Sequence, residues 1–299
     1  MNTSRALPVV VAVADDHPSA VRFAAAEALR EDRPLRVVHV LQPPRGGGPE
    51  SMLISFEAAE VLADRDLSSQ HALAQRLVRG AVPVERVMGR GPVIESLVEQ
   101  CEDADHLVVQ RRHAARLRRL VSGSTVAALA ARSPVPVVAV PELWSGPRAT
   151  PHVTVALGEH DTGLSESGLL AWAFTEAEDR GASLTVLHAW FLAAESGEAA
   201  EVVDVAALVA PWRESHPTVD VRVDVPHLRP ADALLRASRH SDLLLVGRRP
   251  VHGLQPHLDS VVRAALRESQ CPVVVVGVAA HRSSSRPLSR SISSKSSAT

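Results

Sequence analysis

The chain has 299 residues, 45 % of them hydrophobic and 22 % charged, with 32 Lys+Arg against 34 Asp+Glu for a formal charge of −2. Its length is about twice the ~150 residues of one domain, which implies two packed cores, and its composition excludes wholesale disorder and a collagen-like or coiled-coil rod. With four Phe, four Trp and no Tyr, it offers few faces on which single-stranded bases could stack, so nucleic acid is set aside as a partner.

In chain order, the first elements are short Val/Leu-rich runs at 9–14, 35–41, 82–88, 106–110 and 135–140, and a second set follows at 152–157, 183–189, 219–225, 242–247 and 272–276. Runs apolar on both faces are what strands of a parallel sheet covered by helices look like. Segments of helical period lie between them, at 20–30, 92–101, 165–180 and 230–238, two of these opening on a proline, where its missing N–H is harmless. Residues 42–50, QPPRGGGPE, read as a loop. Arg5 followed by ALPVVVAVA faintly mimics a secretory signal, but an equivalent run recurs mid-chain, so it is read as a buried first strand. No apolar run reaches the roughly 18–20 residues of a membrane-spanning helix. Cys101 and Cys271 lie far apart without metal-ligand spacing, which reads as a reduced, cytoplasmic chain.

The two sets of runs are copies. DADHLVVQRR returns as RHSDLLLVGRR, SPVPVVAV as SQCPVVVVG, and LRVVHVLQ as LTVLHAWF, at offsets of about 136 to 149 residues. The expected organisation is a first repeat over 1–142, a linker over 143–150, a second repeat over 151–279, and a Ser/Arg-rich tail over 280–299 that holds no acid and no core. Each repeat is β-α alternating, the doubly wound α/β class, in which ligands bind beyond the carboxyl ends of the strands where strand order reverses. In both repeats the fourth strand is followed by a loop leading to a Ser-bearing helix start, Gly123-Ser124-Thr125 or Asp259-Ser260-Val261. A helix N-terminus with free N–H groups and a hydroxyl is a ready anion seat.

These features resemble a tandem universal stress protein over residues about 7 to 278. The resemblance rests on the VHV and LHA strands, the A-D and S-D pairs leading into the fourth strand, and the P-V-V-V final strand. It implies two five-stranded parallel sheets of order 3-2-1-4-5, of the adenine nucleotide alpha hydrolase-like kind. In nucleotide-binding members, ATP phosphates sit on Gly-x-x-Gly, nine more residues, then Gly-Ser/Thr, with an Asp after the first strand and a backbone contact after the second. Carried over, the glycine positions fall on Gln110, His113 and Gly123 in the first repeat, and on Gly247, Pro250 and Asp259, with one residue deleted, in the second. Ser124 and Ser260 keep the hydroxyl, Asp15 or Asp16 stands after the first strand, and Val40 and Ala189 hold the backbone-contact position. Asp259 places negative charge where a phosphate would sit, which Coulomb repulsion disfavours.

The candidate nucleotide- or anion-binding set is therefore Asp15, Val40, Arg111, Arg112, His113, Gly123, Ser124, Thr125, Gly247 and Ser260, with ATP expected in the first repeat only. Residues 111–119 hold five arginines and His113; they read either as guanidinium forks replacing a glycine cradle or as a solvated loop paired with acids. His39 and His188 occupy the same place in each repeat, yet one His per site is short of the ligands zinc needs, so no metal is expected. No Walker loop, HExxH or nucleophile elbow is present. The functional expectation is a ligand- or partner-binding regulatory module in stress response and not a metabolic enzyme, with an ATP-binding regulator and a ligand-free scaffold as alternatives. A tandem chain can make the family's dimer contact internally, between 135–140 and 272–276. The tail carries Arg-x-x-Ser three times, ending at Ser285, Ser289 and Ser293, a pattern a basophilic kinase can read.

Overall fold

A computed structural model describes residues 6–14, 18–42, 49–111, 123–158, 168–189, 204–248 and 258–277, with the backbone alone at 49–55 and 123–124. Strand and helix alternate through the first repeat as β1 (Val9–Val13), α1 (Pro18–Glu31), β2 (Leu35–Leu41), α2 (Pro49–Val78), β3 (Val84–Arg90), α3 (Val93–Glu99), β4 (His106–Arg111), α4 (Gly123–Arg132) and β5 (Val137–Pro141). The second repeat gives β6 (His152–Ala156), α5 (Leu169–Arg180), β7 (Ser183–Leu187), α6 (Val205–Ser215), β8 (Val221–Asp224), α7 (Pro230–Ser238), β9 (Leu243–Arg248), α8 (Ser260–Glu268) and β10 (Val273–Gly277).

The valine-rich runs become strands because β-branched side chains pack well on a pleated surface, and because both faces are covered they need no polar alternation. Val9, Val11 and Val13 point into a core shared with α1, α2, α5 and α6, whereas Val10 points into a second core with α3, α4, α7 and α8. Both cores run through both repeats. Within each half the strands follow the order 3-2-1-4-5, and the two last strands then pair antiparallel, so the expected pair of five-stranded sheets is one continuous sheet, β3-β2-β1-β4-β5-β10-β9-β6-β7-β8. The joining register sets Val273 opposite Ala139, Val274 opposite Val138 and Val275 opposite Val137. An exposed apolar edge strand invites pairing, and here each final strand covers the other.

A buried ion network ties α1 to α5. Glu27 and Glu176 are 4 % and 2 % exposed. Arg30 reaches Glu27 at 2.5 Å and Glu176 at 3.4 Å, and Arg180 reaches Glu27 at 2.7 Å and Glu176 at 2.8 Å. Burial alone would push the Glu27 carboxyl up, but the Arg180 and Arg30 charges outweigh it and hold it below its usual value.

Several local boundaries shift, among them β5, which begins at Val137, β7, which ends at Leu187, and β8, which spans Val221–Asp224. The third strand begins at Val84 and not at residue 82, because Pro83 has no N–H for the ladder; its carbonyl instead accepts from the Leu35 N–H. The loop read through residue 50 gives way at Pro49, the first residue of α2. That helix runs for 30 residues, and neither it nor α6 stands out in the sequence as the other helices do. Among the described residues, no helix is long and apolar enough to cross a membrane.

Candidate functional site

Beyond the carboxyl ends of β1, β2 and β4 lies a cleft of about 240 Å³. Its floor is the ends of those strands, from Ala12 to Ala14, Val38 to Gln42, and Val109 with Gln110. Val93 and Leu97 of α3 and Thr125 and Leu129 of α4 form one wall, and Ala59, Leu62, Ala63 and Asp66 of α2 form the other. The spacing of that last group, i, i+3, i+4 and i+7, is one face of a helix. The lining is mainly aliphatic, with His39, Gln42, Gln110, Thr125 and Asp66 contributing polar atoms.

Of the expected site residues, Val40 and Thr125 line this cleft, and Gly123 with Ser124 forms the first turn of α4. Gln110, at the first glycine position, is buried and accepts from the Ala20 N–H at 3.4 Å, so its side chain helps anchor the start of α1. Asp15, Arg112 and His113 lie outside the described residues, as do the side chain of Ser124, Pro250 and the tail.

Arg111 is placed otherwise than an anion-binding role requires. It is buried, and its guanidinium donates to the carbonyls of Arg267 and Ser269, where α8 of the other repeat ends. Its counterpart Arg248 does the reverse, donating to the carbonyls of Ala130 and Ser133 at 3.0 Å each, where α4 ends. A cation at a helix C-terminus satisfies carbonyls left without intrahelical partners and opposes the negative end of the helix dipole. The two arginines thus form a reciprocal clasp across the β5–β10 seam. Burial holds both guanidinium groups below their usual value.

The second repeat departs from the first at the helix start after its fourth strand. Gly247 lies inside β9, opposite Val276, and Ser260 is the exposed first residue of α8. Asp259 is the N-cap of that helix: its Oδ1 accepts from the Val262 N–H at 2.7 Å. The second repeat's helix start therefore already holds a carboxylate of its own.

His188 is buried and its Nδ1 lies 3.2 Å from the Leu157 carbonyl. Two groups of metal-capable side chains occur among the described residues, Glu31 with Asp105 and His106, and Glu27 with Glu31 and Glu176. Their carboxylates are engaged by Arg30, Arg33 and Arg180 at 2.5 to 3.4 Å, which balances their charge without an ion.

The sequence profile of the universal stress protein family matches twice, over residues 7–141 and 152–277. The chain belongs to the universal stress protein family. A universal stress protein of Mycolicibacterium smegmatis is 29 % identical over 283 residues, covering 86 % of this chain and 92 % of that protein. Another, from Mycobacterium tuberculosis, is 27 % identical over 307 residues, covering 91 % and 95 %. Among solved structures, a universal stress protein of Archaeoglobus fulgidus shares the fold with a TM-score of 0.69 at 15 % identity, covering 91 % of this chain and 98 % of that one. As a tandem universal stress protein, the chain carries two copies of one scaffold whose fourth strands lead to different helix starts, Gly123-Ser124 and Asp259-Ser260. Asp66 and the α2 wall are the part of the site that motif reasoning does not reach; the 59/62/63/66 periodicity was its only trace in the sequence.

Proposed function

We propose that this universal stress protein is a cytoplasmic regulatory module that acts by binding and not by turnover, holding one adenine nucleotide in the first repeat and none in the second. The observation that carries this reading is the contrast between the repeats. In the first, an aliphatic cleft at the switch point of the sheet has the first turn of α4, opened by Gly123, in its wall. In the second, Asp259 fills the corresponding helix start with its own carboxylate. Flat aliphatic walls suit a purine, and the N–H groups of α4 suit a phosphate. The two repeats take the place of the subunits of a dimer, with β5–β10 pairing and the arginine clasp supporting that arrangement.

Equilibrium dialysis with AMP, ADP and ATP at low and high salt tests the reading. One equivalent bound per chain, weakened by Thr125→Glu in the cleft wall, whose charge repels a phosphate, and unaffected by Ser260→Ala, is the expected result. No binding of any adenine nucleotide, or two equivalents per chain, would overturn it.

A further inference from the structure

Asp66 is the one charged residue on the described walls of the cleft. The opposite flank of α2 is pinned to β3 by two ion pairs, Arg86 with Asp64 and Arg90 with Glu60. The rotation of the helix is set by Ala63, Leu67, Ala74 and Val78, which are buried in the core, and it leaves Ala59, Leu62, Ala63 and Asp66 facing the cleft. Leu62 remains 58 % exposed there, an apolar side chain that a bound ring would cover. Asp66 is half-buried and makes no hydrogen bond or ion pair among the described residues. An ionised carboxylate only accepts hydrogen bonds, so a ligand group facing it must donate. Its negative charge also orients the ligand: a phosphate is repelled from α2 and drawn to the start of α4, which leaves the base end toward Asp66.

We propose that Asp66 is the specificity-determining residue of the first-repeat cleft, accepting a hydrogen bond from the exocyclic amine of a 6-aminopurine and rejecting the 6-oxo analogue. The inference rests on the reading that this cleft holds an adenine nucleotide, and it adds which group selects the base. An oxo group in place of the amine would set two acceptors against each other in a partly dry site, and an unmet polar group there is costly.

The test is calorimetric titration of the full chain with AMP, IMP and 2′-deoxyadenosine monophosphate, on wild type, Asp66→Asn and Asp66→Ala, with thermal unfolding to show that each variant is folded. Wild type is expected to prefer AMP over IMP by about tenfold or more. Asp66→Asn, whose amide can donate to an oxo group, should bring the two within about threefold or reverse them, and Asp66→Ala should weaken AMP with little effect on IMP. Equal binding of AMP and IMP by wild type, or an AMP preference that survives in both variants, overturns the proposal while leaving the adenine reading intact. A loss confined to the 2′-deoxy ligand would move the carboxylate's partner to the sugar and overturn it too. If none of the three ligands binds wild type, the adenine reading fails and the proposal with it.

Discussion

The two repeats share strand order and helix placement, yet differ where a ligand would meet them. The first opens α4 on a glycine, beside an aliphatic cleft walled by a 30-residue α2. The second opens α8 on an aspartate that caps the helix itself, and the corresponding helix α6 is described over 11 residues, from Val205 to Ser215. One scaffold can thus keep its cores and seam while its two helix starts differ, because an N-cap side chain can change without a change in packing.

The largest test of that comparison targets what the repeats hold in common. Glu27 and Glu176 occupy equivalent, buried positions, and each faces both Arg30 and Arg180. Glu27→Ala leaves two buried guanidinium groups short of a partner and should cost about 3–5 kcal/mol in denaturant unfolding. Because the native carboxyl titrates below its unfolded value, its contribution is present above the ordinary carboxylate range and is lost as pH falls through the native value. The wild-type advantage over Glu27→Ala should therefore shrink in acid.

The clasp comes next. Arg111 is buried and Arg248 only partly so. Arg111→Met should cost about 2–3 kcal/mol and Arg248→Met about 1–2 kcal/mol, since a hydrogen bond to a charged group is worth more where water is excluded. Equal losses would show that the two halves of the clasp are energetically symmetric.

Asp259→Ala should cost about 1 kcal/mol, the value of an N-cap, and Asp259→Gly only a few tenths. If the carboxylate is what closes the second seat, Asp259→Gly should raise the adenine nucleotide bound above one equivalent in dialysis. A stoichiometry that stays at one means that more than this side chain separates the repeats.

The smallest expected effect is a slope. His106 in the first repeat is matched by Leu243 in the second. Burial pulls the imidazole down, but its hydrogen bond to Asp105 at 2.9 Å and the charges of Asp105, Glu31 and Glu27 outweigh that and raise it. Arg30, Arg33 and Arg180 share those carboxylates. A raised native value contributes stability that is complete below the unfolded value, near 6.5, and is lost as pH rises through the native one. The stability difference between wild type and His106→Leu should therefore shrink as pH rises over that window.

Much of the fold was legible because it depends on pattern. Parallel strands buried on both faces need runs such as VVVAV and LLLVG, and a duplicated chain shows each run twice. The site was legible only in part, because side-chain direction depends on where a strand stops. Arg111 stood at the head of five clustered arginines and read with them either as a phosphate fork or as part of a solvated loop paired with acids. β4 in fact continues through it, and its guanidinium turns to the carbonyls of α8. The recurrence of an arginine at position 248 was the clue that the role is structural, since both make the same kind of contact with the end of the other repeat's helix. Asp66 belongs to no motif; its place on the cleft comes from the rotation of α2, which the burial of Ala63, Leu67, Ala74 and Val78 sets.

The charges at the α1–α5 contact also carry a history of the fused chain. Two identical subunits around a two-fold axis must present a surface complementary to itself. With Glu27 aligned on Glu176, Arg30 falls on Asp179 and Glu31 on Arg180, so the sign is reversed at both positions. Arg30 and Asp179 lie 3.5 Å apart. In a symmetric pair of first repeats Arg30 would meet another Arg30, and Glu27 would meet Glu31 in place of Arg180. Within one fused chain the contact needs no self-complementarity, and the charges of the first repeat at this contact are matched by those of the second as they would not be by a copy of themselves.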